Sequence, residues 1–361
     1  VFIMKVFRGF HHPRMAEACA LTIGNFDGVH RGHQAMLALL RTEAEHRGVP
    51  SCVMTFEPHP RDFFARMAGQ PERAPARIAT LRDKLSELQR CGVDQCVILP
   101  FNAAFAAQSP DAFVQEVLLQ GLGVRYVLVG DDFRFGAKRA GDYDMLVAAG
   151  EQHGFDVARM NSYEISDPRP GMAGGGNAAM PPFRHGRLRI SSSAVRDTLS
   201  RGAMNEAAQL LGRPYTISGH VVSGARLGRQ LNCPTLNIRF RHDRPATQGI
   251  FVAQVHGLSE QALPAVANLG VRPTLDANDV NRGQVLLEAH CLHWPESLGR
   301  DGGYGKIVRV ELLHKLHDER QYEGLEALQT GIAQDCEDAR QWFALRPSPA
   351  NTRRQTTRDR I

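Results

Sequence analysis

Between Ala20 and about Asp156, short apolar and β-branched runs alternate with longer stretches of helical periodicity, which confines this half of the chain to a parallel sheet covered by helices. The runs are "ALTIG" (20–24), "SCVMTF" (51–56), "QCVILPF" (95–101) and "YVLVG" (126–130), and the apolar positions of 33–47, 77–91 and 110–120 recur at helical spacing between them. From residue 215 the texture changes. Short strands at 215–222, 249–256, 263–268, 284–292 and 306–313, separated by Gly and Pro, predict an antiparallel barrel. A last helix at about 324–343 is expected to pack on it, since Leu325, Leu328, Ile332, Cys336 and Ala339 recur at steps of three and four.

A chain of 361 residues exceeds what one hydrophobic core serves, so two domains are expected, over 4–200 and 205–345, followed by a polar, disordered tail at 346–361. Residues 163–189 are too rich in Pro and Gly for a helix or a central strand and read as a flexible loop; no lysine follows "GMAGGGN" at the spacing of a phosphate loop. The segment "SSSAVRDTLSRGAMNEAAQLLGRP" predicts a helix pair joining the halves. Met4, followed by "KVFRG", reads as a natural start.

Composition excludes several classes. Hydrophobic residues make up 43% of the chain, yet no run approaches the roughly 18 apolar residues of a membrane span. The net charge of +5 is small, and part of it sits at Arg353, Arg354, Arg358 and Arg360, so neither nucleic acid nor a membrane is an expected partner. Seven scattered cysteines without a Cys-x-x-Cys pair argue against a disulfide framework or a zinc site and fit a reducing cytoplasm.

In "TIGNFDGVHRGHQ" (22–34) a strand ends at Gly24, turns through Asp27 and Gly28, and enters a helix bearing His30, Gly32 and His33. Such a unit suits a nucleoside triphosphate: glycines let the backbone approach phosphates, the helix N-terminus supplies aligned N–H groups, and imidazoles donate to oxygens that gain charge. Loops after 24, 56 and 130 lie beyond the carboxyl ends of strands, where open parallel sheets bind ligands. Ser192, Ser193 and Arg196 of "ISSSAVR" can reach phosphate oxygens, or the serines can simply cap a helix.

His-x-Gly-His resembles the signature of the nucleotidyltransferase superfamily, which by itself leaves the substrate open. Together "GNFDGVHRGHQ", "TFEPHP" (55–60), "GDDFRFG" and "ISSSAVR" resemble the FMN adenylyltransferase module of bacterial FAD synthetases, over roughly residues 4 to 200. The resemblance implies a Rossmann-like α/β domain that catalyses attack of the FMN phosphate on the α-phosphorus of ATP, assisted by Mg²⁺. It gives His30 and His33 catalytic roles, assigns Gly24, Asn25, Gly32, Ser192, Ser193 and Arg196 to ATP, and assigns Asp132 to flavin. Ser193 stands where threonine is usual, and the 163–189 insertion is longer than the family's.

The segment "GHVVSGARLGRQLNCPTLNI" (219–238) is neither a Walker loop nor a dinucleotide fingerprint. It resembles the riboflavin kinase pattern, which assigns Gly219, Gly224, Gly228 and Asn237 to ATP and the Thr235 hydroxyl to Mg²⁺, a hard ion that prefers oxygen. Cys233 stands where the family has an aromatic residue. "ANLGVRPT" (267–274) and "LLEAHCL" (286–292) continue the resemblance and put Glu288, the candidate general base, on a strand expected to face inward. "VRVELLHKLHDERQYEGLEALQTGIAQD" (308–335) resembles the closing strand and helix, with Arg320 assigned to flavin, whereas "HWPESLGRDGGYGK" (293–306) departs from the family's shorter turn. The whole resembles bacterial bifunctional riboflavin kinases/FAD synthetases, whose substrates are riboflavin, FMN and ATP.

Overall fold

The computed structural model describes residues 3–166, 187–222, 235–240, 242, 244–271, 285–299 and 301–346. The chain divides into two compact units, Val1–Val195 with Leu210–Gly212, and Arg196–Gln209 with Arg213–Ile361. Among the described residues no helix is long and apolar enough to cross a membrane.

The first unit runs β1 (Lys5–Arg8), β2 (Cys19–Ile23), α1 (Arg31–Arg47), β3 (Ser51–Glu57), α2 (Pro60–Met67), α3 (Leu81–Arg90), β4 (Gln95–Pro100), α4 (Ala103–Ala106), α5 (Pro110–Ala112, continued as a π-helix over Phe113–Gly121), β5 (Val124–Gly130), α6 (Tyr143–His153) and β6 (Asp156–Met160). The strands pair in the order β1-β4-β3-β2-β5-β6, all in parallel. The continuous apolar runs of the inner strands β2, β3, β4 and β5 follow from burial on both faces. Leu21, Met54, Val97 and Val127 enter one core, while Ala20, Val53, Cys96 and Leu128 enter the other. After β2 the chain steps outward through β3 and β4, then returns to add β5 on the other side of β2, so the direction of winding reverses between β2 and β5.

Helix boundaries follow local chemistry. Periodicity alone predicts a helix over 77–91, but α3 begins at Leu81 because Thr80 caps it and the amides of Ile78 and Ala79 are bound instead by the Asp27 carboxylate at 3.1–3.3 Å. The loop expected over 163–189 is corrected at its ends. β7 (Glu164–Ser166) pairs antiparallel with β8 (Arg187–Arg189), two short segments free of Gly and Pro; 167–186 lie outside the described residues.

The helix α7 (Ser192–Ser200) starts in the first unit and its later residues belong to the second; α8 (Met204–Leu211) follows. The second unit is a closed antiparallel barrel of β9 (Tyr215–Val222), β10 (Leu236–Phe240), β11 (Gly249–His256), β12 (Leu263–Val271), β13 (Val285–Cys291) and β14 (Ile307–His317), in the order β10-β13-β12-β11-β14-β9. Ile217, Ile238, Phe251, Ala267, Leu287 and Val310, all fully buried, fill the interior from every strand. β10 is a strand that the sequence reading took only as a ligand segment. The outer face of β11 and β12 presents Val252 and Val266 to Cys336 and Ala339 of α9 (Leu325–Ala344).

Candidate functional site

The first candidate site lies where β2 ends, beside β5, at the reversal of winding that opens a crevice in α/β sheets. The Gly24 amide makes a last ladder bond to the Met54 carbonyl at 3.0 Å. The chain then leaves the sheet through Phe26 (φ 48°), Gly28 (φ 85°) and Val29 (φ 40°). Gly28 has no substitute here: besides its left-handed φ, a Cβ would lie 2.7 Å from Ile78 Cγ2. A Cβ on Gly24 would lie 3.1 Å from the Phe26 ring, and one on Gly32 would lie 3.2 Å from the His30 ring.

His30, one of the expected site residues, is the N-cap of α1. Its Nδ1 accepts the His33 amide at 3.3 Å, which leaves Nε2 to carry the proton of a neutral ring. The two imidazoles stack at 3.7 Å between centroids with planes 16° apart, and His33 rests against Phe26 at 4.9 Å. The distant serine motif arrives at the same place. Ser191 caps α7 by accepting the Ala194 amide at 3.2 Å, and Ser192 donates to the Asp27 carbonyl at 3.1 Å. Ser193 is exposed, and Arg196 follows Ser192 by one helical turn. Asp132 is exposed just beyond β5, next to Asp131, which binds Ser162 and, at 3.4 Å, Arg189 of β8.

Below this loop lies a layer of buried charge that the sequence reading missed. Arg77, only 2% exposed, sits between Asp62 at 3.1 Å and Glu57 at 3.5 Å. Burial raises the Asp62 pKa against the opposing pull of Arg77. Lys84, 1% exposed, donates to Thr55 Oγ1 at 3.2 Å. The side-chain oxygen of Asn25 is buried without a hydrogen-bond partner among the described residues. Local sequence gives little sign of this layer, since Asp62, Arg77 and Lys84 sit on helices and a loop that read as solvated, and only Glu57, at the end of β3, falls in a segment singled out above. Beside it, Phe56, Phe63, Phe64, Phe101 and Phe105 pack edge to face or tilted at 5.4–5.8 Å, around the carboxyl ends of β3 and β4.

The second candidate site lies on the flank of the barrel. Register pairs Glu288 of β13 with Asn237 of β10 on one side and with Asn268 of β12 on the other. Directly paired residues point to the same face, so the three side chains form a row. The inward orientation expected for Glu288 is corrected: Leu287 and Ala289 fill the interior, and Glu288 faces outward with His290. A carboxylate inside would lose its hydration among aliphatic side chains. Asn237 is 5% exposed, and its Oδ1, like that of Asn268, is buried without a hydrogen-bond partner among the described residues. Its amide donates to the Thr235 carbonyl at 3.4 Å. Asn268 is the member of this row that the sequence reading did not single out.

Gly219 lies within β9, where a Cβ would come 2.5 Å from Ile238 Cγ2, so its missing side chain makes room inside the barrel. Arg320 is exposed on the connection from β14 to α9. Gly224, Gly228 and Cys233 lie outside the described residues. No group of three His, Cys, Asp or Glu side chains among the described residues is arranged to hold a metal ion.

Two family models match the chain: one for FAD synthetase over residues 12–169 and one for riboflavin kinase over residues 211–343. A bifunctional riboflavin kinase/FMN adenylyltransferase of Escherichia coli (strain K12) is 40% identical over 344 residues, covering 95% of this chain and 99% of the relative. Proteins of the same description from Pseudomonas fluorescens and Haemophilus influenzae are 40% and 36% identical, over 93% and 94% of this chain and 97% and 99% of their own lengths. A solved structure described as a macrolide-efflux protein from Streptococcus pneumoniae matches with a TM-score of 0.67 at 23% identity, over 94% of this chain and 99% of that one, a likeness of fold.

Proposed function

The chain belongs to the bifunctional riboflavin kinase/FMN adenylyltransferase family, and we infer from that membership that it converts riboflavin and ATP to FMN and ADP in the barrel unit, then FMN and ATP to FAD and diphosphate at the carboxyl end of the parallel sheet. The assignment of residues 4–200 to the second reaction and 205–345 to the first follows the same division. The observation that carries the adenylyltransferase reading is the meeting of distant motifs at the reversal point, where Ser192 bonds the Asp27 carbonyl beside the stacked His30 and His33.

In that site an FMN phosphate oxygen attacks the α-phosphorus of ATP, and the bond from that phosphorus to the bridging oxygen of diphosphate breaks. No covalent enzyme intermediate is needed, so positioning and charge stabilisation carry the rate. The N–H at Nε2 of His30 and the His33 ring donate to the oxygens that gain charge. Gly24, Asn25 and Gly32 let the phosphates approach the backbone at the start of α1. The Ser192 proton is engaged by Asp27, so Ser192 shapes the loop, and Ser193 is left to reach phosphate. Asp132 lies on the flavin side of the crevice, and the phenylalanine cluster offers the flavin ring an apolar wall.

In the barrel, Glu288 takes the proton from the primary hydroxyl of riboflavin as that oxygen attacks the γ-phosphorus of ATP and ADP leaves. Mg²⁺ fits the donors present: Thr235 supplies a hydroxyl, and the buried Asn237 Oδ1 is a hard oxygen without a protein partner among the described residues. These two residues would hold the ion, which supplies charge neutralisation on the phosphates. Small molecules are then the only partners the reading requires, and the buried free thiols of Cys19, Cys52, Cys96, Cys291 and Cys336 suit a reducing cytoplasm.

The test is to incubate the pure protein with riboflavin, ATP and Mg²⁺ and to resolve the flavins by chromatography. FMN appearing first and FAD after it is the expected course. FAD formed only when FMN is supplied would remove the kinase half, and FMN that is never adenylylated would remove the other.

A further inference from the structure

Lys84 lies under the nucleotide loop, and the reaction described so far makes no use of it. It is 1% exposed, and its Nζ donates to Thr55 Oγ1 at 3.2 Å. The Thr55 hydroxyl donates in turn to the carbonyl of Asn25, also at 3.2 Å. An ammonium group can only donate, and a hydroxyl has a single proton. Lys84 therefore obliges Thr55 to accept on one side and to send its proton to Asn25. Filling space does not explain a charge here, since an unbranched apolar side chain would occupy the same volume without desolvating an ion. Burial pushes the Lys84 pKa down from the usual lysine range and Arg77 adds to that, while Glu57 and Asp27 act against it.

Asn25 is the residue at which the backbone leaves the sheet. The bond from Gly24 to Met54 is the last rung between β2 and β3. The next carbonyl is out of reach of the ladder and is taken by the side chain of Thr55, the residue after Met54. Immediately beyond come Phe26 and Val29 in left-handed conformations, which non-glycine residues keep only where their surroundings impose them. We propose that Lys84 is a positioning residue of the nucleotide site, acting through Thr55 to fix Asn25 and the turn that receives the phosphates of ATP. The proposal rests on the adenylyltransferase reading of this site.

The test uses the full chain, with FAD formation followed at varied ATP, riboflavin phosphorylation as the internal control, and thermal melting alongside. Thr55→Val keeps the shape and removes the hydroxyl. It lowers kcat/KM for ATP in FAD formation by about 10–100-fold, the scale on which outer-shell partners act, and Thr55→Ser recovers most of that loss. Lys84→Met shows the same loss with the hydroxyl still present. Riboflavin phosphorylation is unchanged in all three. A Thr55→Val or Lys84→Met protein that keeps both kinetic constants of FAD formation within about twofold, whatever its melting temperature, overturns the proposal. Loss of folding in both overturns it as well, because the pair then belongs to the core. A wild-type chain that makes no FAD from FMN removes the adenylyltransferase reading instead, which separates the two failures.

Discussion

The parallel sheet and the barrel put their polar groups on different parts of a strand. In the first unit these groups gather past the strand ends, with His30 and His33 after β2 and Asp132 after β5. The inner strands β2 to β5 are themselves buried on both faces and leave few side chains to spare. In the barrel one face of each strand fills the interior and the other stays available, so Asn237, Glu288 and Asn268 line up along the strands. The first site therefore depends on the shape of a loop, and the second on which residue stands at one register position. Substitutions near the first should act through backbone geometry as well as chemistry. Those in the second should act one side chain at a time.

The sharpest way to break this contrast is Glu288→Gln, which keeps size and hydrogen bonding but removes the proton acceptor. Riboflavin phosphorylation is expected to fall by about 10²–10⁴-fold while FAD formation from added FMN is untouched, as read by steady-state rates for each step. A variant with near wild-type phosphorylation would make Glu288 a structural member of its row. His33→Ala comes next, with FAD formation falling by about 10²–10³-fold and FMN formation persisting. Equal loss of both activities in a folded protein would contradict separate sites.

Gly28→Ala probes the loop without touching any catalytic group. The added methyl would lie 2.7 Å from Ile78 at a φ of 85°, so denaturant melts should show a loss of about 1–3 kcal/mol together with reduced FAD formation. A neutral result would mean that the loop relaxes freely. The smallest effect concerns Lys84→Met and pH. Because burial lowers the Lys84 pKa in the folded state, the unfolded chain binds more protons between the folded and unfolded values, and stability rises with pH across that window. The cost is fully present below the folded value and gone above the unfolded value of about 10.4. The melting temperature of wild type relative to Lys84→Met should thus climb from neutral pH toward about 10. A flat difference would show that the amine is not desolvated.

The α/β architecture, the barrel and the terminal helix could be read because each rests on a period: apolar runs buried on two faces, alternation buried on one, and steps of three and four along α9. The strand–glycine–helix unit around Gly24 and His33 could be read because its chemistry is contiguous. Other features escaped for physical reasons. β1 and β6 are edge strands with few buried residues, Phe7 being the one buried residue of β1, so they carry little hydrophobic signal. The outward orientation of Glu288 depends on which of two alternating faces closes the barrel, and a strand of seven mostly apolar residues does not declare that. The charge layer of Arg77, Asp62 and Lys84 is assembled from separate helices and loops, so its members meet only in three dimensions.

The cap on α1 ties acid–base state to helix geometry. His30 accepts the His33 amide through Nδ1, and that nitrogen can take up a proton only by releasing the amide. A second proton on the ring and this capping bond are mutually exclusive. The cap therefore fixes which nitrogen of a neutral His30 ring bears its proton, so helix geometry and the direction in which the ring can donate are set by one bond.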